Sequence, residues 1–178
     1  MGAGLGAAVG AGLGYAIGRD AQSAAIGAAL GALAGGAGGY VYADRIAKRH
    51  KELAGKENDV DARTAFARGV NEDTQEYNGR LKKEISALEP KIAELAAKKE
   101  KQEITQRELE KQKQALGVKI LEANKQLAVG EDELQGLKAF RSEKKTSQAL
   151  DEQIKTLEQN LAEMKTSTSA LASLNQRI

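Results

Sequence analysis

The sequence of 178 residues contains no cysteine and no tryptophan, one proline, one histidine, two phenylalanines and four tyrosines. Each shortage excludes something. Without cysteine there is no disulfide framework and no thiolate nucleophile, and a single histidine removes the usual zinc sites as well. Large aromatic side chains normally dominate a globular enzyme's core, and here they are 3% of the chain. No nucleophile–base constellation is present, so the chain reads as a non-enzyme with no cofactor and no metal. The net charge of +2 gives no overall case for nucleic acid. Apolar residues make up 41% and charged ones 29%, with much of the apolar share in alanine. That profile belongs to long helices.

Glycine and charge occupy different parts of the chain. Thirteen of the 19 glycines lie in residues 1–39, and residues 1–43 carry only two charges, Arg19 and Asp20. Small residues recur at Gly2, Gly6, Gly10, Gly14 and Gly18. After the RDAQ break they recur at Ser23, Gly27, Gly31, Gly35 and Gly39. A strict four-residue step puts them along one side of a helix, while Leu5, Val9, Leu13, Ile17, Ile26, Leu30 and Leu33 supply bulk elsewhere. In water, each interior glycine costs about 1 kcal/mol relative to alanine. A bilayer removes the alternative, because backbone groups there must bond internally, and bare glycine faces then let two helices approach closely. Residues 2–18 as helix would span about 26 Å and residues 23–43 about 31 Å, against a hydrocarbon core of roughly 30 Å. The expectation is a membrane hairpin over residues 1–43, with RDAQ as its turn.

Tyr15 near the loop and Tyr40 and Tyr42 at the exit fall where interfacial tyrosine anchors are expected. Three other readings compete for this segment. A flexible Gly/Ala linker would not keep a fixed step through ten positions. A helical hairpin inside a soluble oligomer would keep it. GAGLGA fits a dinucleotide fingerprint in letters, but no strand precedes it and no βαβ pattern follows.

The two ladders, GAAVGAGLGYAIG and AAIGAALGALAGG, resemble the glycine-zipper segment of bacterial envelope lipoproteins, rickettsial surface-antigen-like proteins among them. The following ADRIAKRHKEL and NEDTQEYNGRLKKEISAL look like the variant with a long helical tail. The resemblance is specific over about 43 residues and looser to about residue 95. It implies a structural role in the bacterial cell envelope, at an outer membrane facing the periplasm. The signal peptide and lipidated cysteine usual in that family do not precede the zipper here. The expectation is a trimmed chain, with lipidation implied by resemblance alone.

Arg45, Lys48, Arg49, His50 and Lys51 form a basic cluster just past the second ladder. It suits anionic headgroups; the positive-inside rule would put it in the cytoplasm if this were an inner-membrane hairpin; and it is equally the solvated start of a helix. Weakly hydrophobic Gly/Ala spans favour escape from the inner membrane during secretion. Residues 44–79 then read as a basic juxtamembrane segment and a transition punctuated by Gly55, Gly69 and Asn78-Gly79, with Val60, Phe66, Ala67 and Val70 marking a short amphipathic helix.

Residues 80–178 carry heptads. Leu81, Ile85, Leu88, Ile92 and Leu95 step by four and three, and the register extends through polar Lys99, Gln102 and Gln106 to Leu109, Leu116, Ala123, Leu127, Gly130, Leu134 and Leu137. Pro90 is expected to kink or restart the helix. A second block, Leu150, Ile154, Leu157, Leu161, Met164, Thr168 and Leu171, is out of register with the first. A turn near 142–147 would fold it back, setting Leu157 against Gly130 and Met164 against Ala123, large opposite small. A continuous parallel oligomer is the alternative. The runs KKEKQ and RSEKK interleave with glutamate and lack aromatic residues for stacking, which argues for solvated helix faces and against nucleic acid.

The expected architecture is all-α: a glycine-zipper helical hairpin followed by a long antiparallel coiled-coil arm. The expected function is an envelope scaffold, anchored or oligomerised by the zipper, with membrane lipids, copies of itself and other envelope proteins as partners. The alternative is a pore-forming or secreted assembly whose zipper inserts into membranes.

Overall fold

The computed structural model describes residues 38–143 and 147–178, with Gly38–Val41 described by backbone alone. The protein is all-α. Among the described residues, four helices follow in order: α1 (Gly38–Leu53), α2 (Val60–Glu100), α3 (Gln106–Glu143) and α4 (Gln148–Gln176). The ladder positions Gly2, Gly6, Gly10, Gly14, Gly18, Gly27, Gly31 and Gly35, and Tyr15, lie outside the described residues.

The helix boundaries follow from local chemistry. Asp59 caps α2 by accepting the N–H groups of Asp61 and Ala62 at 2.8 and 3.0 Å. Thr105 and Glu108 form a reciprocal capping box at the start of α3: Glu108 N–H donates to Thr105 Oγ1, and Thr105 N–H donates to Glu108 Oε2. Gly55, at φ +80°, turns the chain after α1. Gln102, at φ +58°, occupies the left-handed position that ends α2. Its N–H reaches Lys99 O at 3.1 Å and Glu103 N–H reaches Lys98 O at 2.9 Å, the paired bonds of a Schellman termination.

Three expectations change here. α2 is one helix from Val60 to Glu100, without the short transitional helix or a break at Asn78-Gly79. The heptad continues N-terminally through Ala67, Val70, Asn71, Thr74, Tyr77 and Asn78, all buried. Polar residues at core positions hide it from a hydrophobic pattern. Pro90 sits inside α2 at an exposed position and does not restart it. Third, the polar stretch near 99–106 holds a turn, not a polar seam in one helix, so residues 80–178 carry the end of α2 and the whole of α3 and α4 where a two-helix hairpin was expected. The gap between α3 and α4 does fall within 142–147.

The chain divides into two compact units, each with its own core. In one, residues 38–81 and 124–167 bring four helical segments together. α1 runs antiparallel to α2, with Arg45 against Asp73 and the His50 ring 5.0 Å from that of Phe66. α3 and α4 also run antiparallel, tied by Arg141–Asp151 and Lys138–Glu158, both at 2.6 Å. α2 and α4 run parallel: Asn71 Nδ2 donates to the Gln153 carbonyl at 2.9 Å, and one heptad on, Asn78 Nδ2 donates to the Asn160 carbonyl at 2.8 Å. Asn160 Nδ2 closes the ladder on Asn71 Oδ1 at 3.1 Å. Such buried polar layers fix register at a cost in stability.

Gly130 faces Leu161, one turn from the Leu157 expected there. Arg141 against Asp151 and Lys138 against Glu158 set the same later pairing point between the two helices. Size matching survives the shift, because a methyl on Gly130 would overlap Leu161 and crowd the Tyr42 hydroxyl.

In the other unit, the described residues are 82–123 and 168–178. Leu88, Ile92, Leu95, Leu109, Leu116, Leu171, Leu174 and Ile178 are buried there. Lys119 Nζ pairs with Glu84 at 2.5 Å, and Lys99 Nζ donates to the Ile178 carbonyl at 2.9 Å.

Candidate functional site

The chemistry of the four-helix unit concentrates where α1 meets α2 and α3. α1 presents one narrow apolar face, Tyr42, Ile46 and Leu53, which is buried. That face alone is small for a contact about three turns long, and polar groups complete it. Arg45 and Arg49, one turn apart on α1, converge on Asp73 of α2. Arg49 Nε donates to Asp73 Oδ2 at 2.5 Å, and Arg45 Nη1 to Asp73 Oδ1 at 3.3 Å. Asp73 is only 6% exposed, and those two guanidinium groups are the cations that meet it.

Arg45 also pairs with Glu76, which Arg80 grips from the next turn of α2. Arg49 lies 3.7 Å from Glu72. Hydrogen bonding to Arg45, then to Arg80, holds the Glu76 carboxyl below its ordinary range. The Arg45 and Arg49 guanidinium groups are pushed up by their hydrogen bonds to Glu76 and Asp73 respectively. The arrangement needs Gly69: a methyl there would overlap the Arg49 guanidinium. On the α3 side, His50 Nε2 lies 2.6 Å from Glu133 Oε1.

Tyr42 lies at the centre. Its hydroxyl is 3.1 Å from Thr74 Oγ1, and Thr74 gives its own proton to the Val70 carbonyl at 2.7 Å. Tyr42 is therefore the donor in this relay. Burial, with Glu133 and Asp73 nearby, pushes its hydroxyl up to about 12. The Tyr77 ring packs 5.5 Å from the Tyr42 ring.

The structure separates the residues expected at a membrane interface. Tyr42 is a core residue here, its ring packed on Tyr77 and its hydroxyl beside Gly130. Arg45 and Arg49 are engaged by acids of the same chain. Lys48 and Lys51 are exposed, with Lys48 3.9 Å from Glu52. Tyr40 and Gly39 fall in the first turn of α1. What the sequence reading missed is the acidic partner set, Glu72, Asp73 and Glu76. The signal was present: NEDTQE carries carboxylates at the helical spacing that RIAKRHK carries cations.

No protein-family model matches this chain, and neither a curated protein nor a solved structure does. Among the described residues, no helix is long and apolar enough to cross a membrane. No group of three or more histidine or carboxylate side chains there could hold a metal ion.

Proposed function

We propose that the chain is a structural protein of the cell envelope. The Gly/Ala-rich residues 1–37 anchor or oligomerise it at a membrane, and the helices beyond present a docking arm. The observation that supports this most directly is α1. It takes in Gly39, the last ladder position, and carries Arg45 and Arg49 to Asp73 of α2. A Gly-rich segment hung on a loose linker would leave the arm free to tumble. A helix that follows the segment directly in sequence instead keeps the arm's first cations beside it, where the segment would engage a membrane. The four-residue glycine step supports close helix contact within residues 1–37.

Flotation of the full-length chain with lipid vesicles tests the reading. The protein should rise with the vesicles, and cross-linking should trap oligomers. Gly10→Leu with Gly31→Leu should lower the cross-linked yield, although leucine raises helix propensity, because bulk fills the space an opposing backbone needs. Ala8→Leu with Ala29→Leu, off the ladder face, should leave it unchanged. A chain that stays at the bottom of every gradient overturns the proposal.

A further inference from the structure

We infer that α1 is an electrostatic latch: an anionic lipid surface competes with Asp73 and Glu76 for Arg45 and Arg49 and draws α1 off α2. The inference rests on the membrane reading above and adds a conformational consequence to it.

Four observations carry it. First, the cations are arranged from outside inward. Lys48 is the most exposed, its side chain 79% accessible; Arg45 is 40% accessible and Arg49 26%. A negative surface reaching α1 meets Lys48 and Lys51, then Arg45, and Arg49 last. All four lie within two turns of one another, immediately after the segment proposed to engage the membrane.

Second, the acids are provided for when α1 leaves. Glu76 keeps Arg80, which already pairs with it. Asp73 is buried at the α1 contact, where Arg45 and Arg49 meet it, so departure of α1 opens it to water and strands no charge in an apolar site.

Third, charge supplies a large part of what holds α1 to its neighbours. Beside the buried Tyr42, Ile46 and Leu53 and the ring contacts of Tyr42 with Tyr77 and His50 with Phe66, the contact consists of ion pairs and the Tyr42–Thr74 hydrogen bond. Ion pairs near a surface respond to competing charge in a way that apolar burial does not.

Fourth, α2 does not need α1 to start. Its first N–H groups are capped by Asp59 from the connection itself. Gly55, at φ +80°, sits in that connection and supplies a pivot.

The absence of cysteine makes the test clean. Spin labels at Ala47→Cys on α1 and Gln75→Cys on α2, both exposed and outside the clasp, report the separation in the full-length chain. Three additions are compared: phosphatidylcholine vesicles, vesicles that also contain phosphatidylglycerol, and inorganic phosphate in solution. Flotation runs in parallel. The short distance should be lost on the phosphatidylglycerol vesicles alone. Lys48→Gln with Lys51→Gln should weaken that response while leaving the short distance in solution. Asp73→Asn with Glu76→Gln should lengthen the distance without vesicles, with α4 amide protection retained as the check on folding. A chain that floats on anionic vesicles with the short distance unchanged overturns the latch and leaves the membrane reading standing. A chain that floats on neither overturns both. Opening by phosphate in solution, or equally on neutral vesicles, overturns the anionic surface as the trigger.

Discussion

Arg49 reaches Asp73 by lying directly over Gly69, whose missing side chain is the space the guanidinium occupies. The sign of a Gly69 substitution therefore depends on residue 49. Gly69→Ala should destabilise the protein by about 1–2 kcal/mol, since displacing a cation from a nearly buried carboxylate outweighs a propensity gain of about 1 kcal/mol. In an Arg49→Ala background the same change should stabilise by about 1 kcal/mol, because only the propensity gain remains. Urea unfolding of the four variants measures the reversal. Equal signs in both backgrounds would remove the guanidinium from the explanation.

Gly130 makes a second, contrasting case. A methyl there meets Leu161 and the Tyr42 hydroxyl, so Gly130→Ala should cost about 1–3 kcal/mol through overpacking. Gly117 and Gly136 are on helices with nothing near the added carbon, and alanine at either should stabilise by up to about 1 kcal/mol. Thermal melts of the three single variants should rank Gly130→Ala alone below the parent.

Gln102 occupies a left-handed position that glycine tolerates without strain. Gln102→Gly should raise stability by about 1 kcal/mol, the penalty of that conformation for a residue with a Cβ being about 1–2 kcal/mol. Thr105→Ala, which removes the capping box with Glu108, should lower it by about 1 kcal/mol. Both changes are at one turn, and denaturant midpoints should move in opposite directions.

The pH dependence has two limbs. Glu76 is held below its ordinary value of 4.5 by Arg45 and Arg80, and Asp151 below its ordinary 3.8 by Arg141. A lowered carboxylate contributes stability that is present above its unfolded value and lost as pH falls through the folded one. Acid should therefore weaken the α1–α2 pair below about pH 4.5 and the α3–α4 pair below about pH 3.8, and Glu76→Gln should flatten the first of these in a stability-against-pH series. Tyr42 is shifted the other way, from 10.0 to about 12. Its contribution is present below 10 and is lost as pH rises through that interval. The tyrosinate absorbance that Tyr42→Phe abolishes should appear near pH 12, or together with unfolding.

The heptad residues show how far periodicity carries. Leu81, Leu88, Ile92, Leu95, Leu109, Leu116, Leu137, Leu150, Leu157, Met164 and Leu171 were readable as seam positions, and all are buried. Burial of a leucine at a three–four step needs only a partner helix, whichever it is. Asn71, Asp73, Thr74 and Asn78 were not readable as core. A polar side chain enters a core only when a specific group meets it, and those groups lie far along the chain at Gln153, Asn160, Arg45 and Tyr42.

By itself, the sequence determined the all-helical class, many of the buried seam positions and the break between α3 and α4. Scarce aromatics, a single proline and sustained three–four spacing allow little else. Even the capping box at Thr105–Glu108 was in the letters, though a heptad register drawn through it concealed the turn. The tertiary structure alone decided which helix meets which and in what register. Heptads repeat, so sliding one helix by a turn against another preserves every leucine contact in kind. What breaks that degeneracy is irregular: Gly130 under Leu161, the Asn71–Asn160 ladder, and Arg49 over Gly69 onto Asp73. Each requires two or three distant residues to fit at once, a condition that exists only after the helices have packed.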